Sequence, residues 1–149
     1  RLPLAELFQI VLSRHPAPEN IQVHLNLPED TPPAWADSHH AEMILSNLVV
    51  NAYQAMPEGG SLTLSAYPMP ESNEVAIAVR DTGVGLSEEM KNKLFHPLFT
   101  TKSKGVGLGL VVCQKLAEAN NGRIEVQSEL GKGSTFTLIL PLYTEAGVK

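Results

Sequence analysis

Asn47 and Asn51 stand four residues apart in the run Glu42–Ala55, and Gln54 follows one turn later. On a helix the positions i, i+4 and i+7 share a face, so the three carboxamides form one polar strip. Asn is disfavoured inside helices because its side chain competes for backbone hydrogen bonds. A neutral carboxamide oxygen is a hard ligand, suited to a Mg²⁺ ion that keeps several waters and takes phosphate oxygens. Taken alone, the strip is equally consistent with two asparagines hydrogen-bonded inside a helix–sheet interface.

Two glycine turns lie downstream. In Asp81-Thr-Gly-Val-Gly85 the glycines let backbone pass close to a flat ligand, and the carboxylate can accept from an exocyclic amine. Such a turn is also common without any ligand. Gly105-Val-Gly-Leu-Gly-Leu110 leads into a helix, which aims bare N–H groups and the positive end of the dipole at an anion. A plain glycine-rich helix start has the same composition. The spacing is not that of a dinucleotide fingerprint. Gly131-Lys132-Gly133 joins two strands and lacks the Ser or Thr of a Walker loop. Between the turns, Phe95-His-Pro-Leu-Phe-Thr-Thr-Lys-Ser-Lys104 reads as an irregular lid whose Lys102 and Lys104 can reach a polyphosphate. The bland alternative is a solvated basic loop.

The elements that must position these groups follow from periodicity. Leu4, Leu7, Phe8, Val11 and Leu12 repeat at helical spacing until Pro16 and Pro18. Ile21, Val23, Leu25 and Leu27 alternate as a half-buried strand. Asp37 or Ser38 can cap a long helix reaching about Met56, with Ala41, Ile44, Leu45, Leu48, Val49, Ala52, Ala55 and Met56 as its apolar stripe. Leu62, Leu64 and Ala66, then Val75, Ile77 and Val79, predict two antiparallel strands joined around 68–73. Ser87 caps a short helix ending near Phe95, and a further helix runs from Gly107 to Ala119. Two last strands, Arg123–Ser128 and Ser134–Leu140, flank the Gly131–Gly133 turn. The sum is an α+β two-layer sandwich, with about three main helices on one face of a mixed, mostly antiparallel sheet.

At 149 residues with 43% hydrophobic and 18% charged content, the chain is one ordinary globular domain spanning 1–149. A net charge of −5 with no basic stripe argues against a nucleic-acid binder. The single cysteine, Cys113, excludes an internal disulfide and a Cys-rich metal site; inside an apolar helical run it reads as a buried structural thiol. No apolar stretch has the length of a membrane span and no signal-peptide layout opens the chain. A cytoplasmic domain without direct membrane contact is expected, in a parent that could itself be membrane-anchored.

Together these segments resemble the catalytic and ATP-binding domain of bacterial sensor histidine kinases, within the GHKL family and its Bergerat fold. Asn47-Leu-Val-Val-Asn51-Ala matches the N box, Asp81–Gly85 the first glycine box, Phe95–Lys102 the F box and Gly105–Leu110 the second glycine box. Gly131-Lys-Gly-Ser-Thr135-Phe with Leu-Ile-Leu-Pro141 matches the final strand pair. The Thr-Thr-Lys end of the F box is similar to the nitrogen-regulation type.

The resemblance covers essentially the whole chain and implies ATP and Mg²⁺ as ligands. It places the cation on Asn51 and sets Asn47 beside the phosphates. Asp81 would take the adenine amine, with Gly83 and Gly85 lining the base pocket. Thr101, Lys102, Gly105, Gly107, Leu108, Gly109 and Leu110 would surround the phosphates, Lys102 countering their charge. Thr135 would approach the adenine through water. His40, Met43, Gln54 and Val106 depart from frequent family residues.

The implied reaction moves the γ-phosphoryl of ATP to a histidine on a separate dimerisation domain, then to a response-regulator receiver. Asn47 and Lys102 would be the catalytic side chains. The acceptor histidine lies upstream of this domain in the family, and His15, His24, His39, His40 and His96 do not replace it. The isolated chain is therefore expected to bind ATP·Mg²⁺ without phosphorylating itself. One rival is an ATPase clamp, whose general-base glutamate would stand where Asn47 stands. Others are a docking module without catalysis and a serine kinase of the anti-sigma type.

Overall fold

The computed structural model describes residues 1–89 and 106–143, with backbone only at 106–109. Helix α1 (Leu4–Arg14) buries Leu4, Leu7, Phe8 and Val11, and its last turn closes with the His15 N–H on the Val11 carbonyl. The chain then forms β1 (Ile21–Asn26) and α2 (Ser38–Gln54). It continues through β2 (Gly60–Met69), a 3₁₀ turn at Pro70–Ser72 and β3 (Glu74–Asp81). After the segment outside the described residues come α3 (Val106–Ala119), β4 (Arg123–Glu129) and β5 (Gly133–Pro141).

The strands line up as β1-β2-β3-β5-β4. β1 and β2 run parallel, joined by α2 as the crossover, and all other neighbours are antiparallel. Strand alternation sends Leu62, Leu64, Val75, Ile77, Val79, Phe136, Leu138 and Leu140 to one face. There they share a single apolar cluster with the helices. The sandwich expected from periodicity is the observed fold.

Its details depart from the sequence reading at several element ends. The β2–β3 strands extend further than expected, leaving only the 3₁₀ turn and Asn73, at φ 59°, as connection. Pro68 lies inside β2, opposite Val75, because β1 stops pairing at Ser65 and the far edge of β2 needs no donor there. Leu27 falls outside β1, and α3 starts one residue earlier than predicted, at Val106. Of the short helix expected from Ser87, residues 88–89 are helical and the rest lies outside the described residues.

Two joints orient α2, the helix that carries the asparagines. At its start the Asp37 carboxylate accepts from the His40 N–H at 3.0 Å. The Asp37 N–H in turn donates to Asn120 Oδ1 at 2.8 Å, and Asn120 Nδ2 donates to the Leu116 carbonyl at 2.8 Å. One amide thus ties the end of α3 to the beginning of α2. Near its other end, the Tyr53 hydroxyl donates to the His15 carbonyl at 2.7 Å, fixing α2 against the end of α1.

Candidate functional site

The carboxamide strip is built as its spacing required. Asn47 and Asn51 are both half-buried, and Asn51 Nδ2 donates to Asn47 Oδ1 at 3.2 Å. That bond occupies the amide nitrogen of Asn51 and leaves its carbonyl oxygen as an acceptor. Gln54 continues the strip, and its Oε1 is buried with no partner among the described residues. A buried acceptor left in that condition is uncommon.

At the end of α2 the first glycine turn docks directly on helix backbone. The Val84 N–H donates to the Ala55 carbonyl at 3.1 Å, and a Cβ at Gly83 would collide with that same oxygen. Thr82 Oγ1 accepts from the Ser61 N–H at 3.0 Å and lies 3.7 Å from Met56 Sδ. On the opposite side Gly85, at φ 73°, packs against the Glu129 carbonyl, where any Cβ would again collide. The Gly131 N–H donates to the Val84 carbonyl at 2.8 Å. Here the two glycines are required by close approach of chain to chain, clamping the turn between α2 and the β4–β5 hairpin. This clamp holds the Asn51 helix and the Asp81 turn in one rigid unit.

Asp81 closes β3 on the helix-facing side, only 3% exposed. Its Oδ1 accepts from the Gly83 N–H at 2.9 Å and from the Ser134 N–H at 3.3 Å. Burial raises its carboxyl above the ordinary carboxylate value, against the opposing pull of those two N–H groups. Because both donors land on one oxygen, Oδ2 remains for a further donor. Asp81 and Ser134 are the only buried polar residues among those described.

Register separates Thr135 from Asp81. Ser134 is the cross-strand partner of Asp81, whereas Thr135 is paired with Arg80. Side chains alternate faces along a strand, so Thr135 lies on the open face of the sheet, in a shallow depression shared with Arg80, Ala78, Gln127 and Thr137. The structure does not bring Thr135 to Asp81; it brings Ser134. Sequence reasoning missed Ser134 because the phase of β5 against β3 is a pairing property that neither strand displays alone. Leu110, in the first turns of α3, is buried in the apolar cluster. Gly107, Leu108 and Gly109 are helical in backbone. Thr101, Lys102 and Gly105 lie outside the described residues.

The half-buried carboxamide pair, the buried Asp81 turn and a helix start downstream make up one candidate nucleotide site of the kind expected from the sequence. The match over residues 36–144 to the family model described as histidine kinase-, DNA gyrase B- and HSP90-like ATPase agrees, and the chain belongs to that family. It is 35% identical over 127 residues to sporulation kinase E of Bacillus subtilis, covering 85% of this chain and 17% of that protein. The chain thus spans under a fifth of that relative's length. Among solved structures, the catalytic domain of histidine kinase ThkA superposes with a TM-score of 0.79 at 31% identity, covering 93% of this chain and 92% of that one. Full-length ShkA in complex with AMPPNP gives 0.82 at 26% identity, over 96% and 31% of the two chains. ThkA in complex with the response regulator TrrA gives 0.76 at 28% identity, over 95% and 41%.

Proposed function

We propose that this chain binds ATP through Asp81 and Ser134 at the base and through Asn47, Asn51 and the start of α3 at the phosphates. It then presents the γ-phosphoryl to a histidine on a dimerisation domain. The observation that carries the reading is the clamp that joins the Asn47–Asn51 pair to the buried Asp81 turn. Asn51 offers one neutral oxygen, and no cluster of three His, Cys, Asp or Glu residues suited to a metal exists among the described residues. That donor set fits a Mg²⁺ ion delivered with the nucleotide, completing its shell with phosphate oxygens and water. The ion would supply charge neutralisation between phosphates. The protein's own part is to orient them, using Asn51, Asn47 and backbone amides from Gly107 to Gly109, with Lys102 from the lid.

Asn47 is a carboxamide and takes no proton at neutral pH, so water activation from this position is not available and hydrolysis is negligible in this reading. In this reading the phosphoryl acceptor is a histidine on the parent kinase's dimerisation domain, and a receiver aspartate follows. The complex of the similar kinase ThkA with the response regulator TrrA supports a receiver domain as a partner. Mixing the chain with [γ-³²P]ATP, Mg²⁺ and a histidine-bearing dimerisation domain should place acid-labile label on that domain and none on the chain alone. Steady phosphate release by the chain alone, with no label transferred, would support an ATPase clamp instead.

A further inference from the structure

Two buried side-chain oxygens among the described residues accept no hydrogen bond, Gln54 Oε1 and Gln114 Oε1. Gln114 is engaged through its other amide atom, since Nε2 donates to Glu118 Oε2 at 3.2 Å. Gln54 has a different setting. It is the last residue of α2, half-buried, one helical turn beyond Asn51 and two beyond Asn47. Positions three apart on a helix bring their Cβ atoms to about 5–6 Å, so Gln54 shares the strip of the Asn47–Asn51 pair. The next residue, Ala55, carries the carbonyl on which the Asp81 turn is seated. A carboxamide oxygen withdrawn from water without a donor costs free energy in the chain by itself. Its place on the strip puts that oxygen where a ligand would bring the donor.

We propose that Gln54 is a further positioning residue for the nucleotide-bound cation, its Oε1 accepting from a water in the Mg²⁺ shell. Mg²⁺ gives up water reluctantly and keeps several when one protein oxygen and phosphates complete its shell. A water held on a cation turns its protons outward, and a neutral acceptor one turn from Asn51 is suited to receive one. Outer contacts of this kind orient what the ion holds directly. The contact requires an acceptor. Glutamate can therefore stand in for the glutamine, whereas lysine, which has donors only, cannot. The nucleotide's other donors are the adenine amine, which the reading above gives to Asp81, and the ribose hydroxyls, which the test separates. This inference rests on that nucleotide-binding reading and adds a residue to it.

The test is the ratio of ATP affinity with Mg²⁺ to that without, titrated for wild type, Gln54→Met, Gln54→Glu, Gln54→Lys and Gln114→Met. Wild type should show a ratio well above one. Gln54→Met should lower it by about tenfold, through weaker binding with Mg²⁺ and little change without. Gln54→Lys should lower it too, Gln54→Glu should keep or raise it, and Gln114→Met should leave it unchanged. The Glu and Lys variants carry the test alone if Gln54→Met does not fold. A wild-type ratio in Gln54→Met, or an equal loss in Gln114→Met, would overturn the proposal while leaving ATP binding intact. So would a ratio kept by Gln54→Lys and lost by Gln54→Glu, which assigns the amide nitrogen to a phosphate. Weakening by one common factor with and without Mg²⁺, absent with 2′-deoxy- or 3′-deoxy-ATP, assigns Gln54 to the ribose and overturns it as well. ATP binding by wild type that is absent or indifferent to Mg²⁺ would overturn the nucleotide reading and the proposal with it.

Discussion

Asp81 holds both backbone donors on a single oxygen, and that asymmetry makes Asp81→Asn an informative change. The amide keeps Oδ1 for Gly83 and Ser134 and replaces the free acceptor by a donor. Burial raises the Asp81 carboxyl, so the folded state binds its proton more tightly than the unfolded chain does. The stability this residue contributes is present below the ordinary carboxylate value near 3.8 and is lost as pH rises through the elevated folded value. At neutral pH, then, Asp81→Asn should unfold at equal or higher denaturant concentration than wild type. Its ATP affinity should nevertheless fall on the order of a hundredfold, because a buried donor then faces the adenine amine. Asp37 has the opposite sign: the His40 N–H lowers its carboxyl, so its contribution is present at neutral pH and is lost on acidification through the lowered value. Cys113 is buried and its thiol is pushed up to about 12. Thiol reagents should leave it unmodified in the folded chain and label it only at the unfolding rate.

At the scale of elements, the two ends of α2 are held by different means. Removing the cap by Asp37→Ala should lower the denaturant midpoint of unfolding. Asn120→Ala releases the same joint from the α3 side, so the double variant should cost less than the sum of the singles. At the far end the glycine turn meets the Ala55 carbonyl, a backbone atom that cannot swing aside. Gly83→Ala should therefore cost roughly 1–3 kcal/mol through overpacking, and it should also loosen the seating of Asp81 against α2. Measured nucleotide affinity should fall with stability here, in contrast to Asp81→Asn, where the two separate.

Over the whole molecule, what could be read in advance was whatever has a local period. The stripe of α2, the alternation of the sheet strands and the Asp37 cap all follow from short-range spacing, and the carboxamide strip inherits its geometry from the helix. What could not be read was relational. Parallel pairing of β1 with β2 depends on the crossover packing of α2, and the Leu2–Ala34–Leu142 bridges join segments from both ends of the described chain. That Ser134 and not Thr135 stands beside Asp81 follows from the register of β5 against β3. The glycines of the first turn were legible as special positions, but the structure gives them a protein contact that spacing could not name. That contact joins the Asn47–Asn51 pair to the Asp81 turn, the two parts that the proposed function assigns to cation and base. The most direct measurement of this claim is calorimetric titration with ATP, with and without Mg²⁺, of wild type and Asn51→Ala. Wild type should bind more tightly with Mg²⁺, and Asn51→Ala should bind with a weak affinity that Mg²⁺ no longer changes. An Asn51→Ala variant whose Mg²⁺-dependent titration overlays that of wild type would contradict the account.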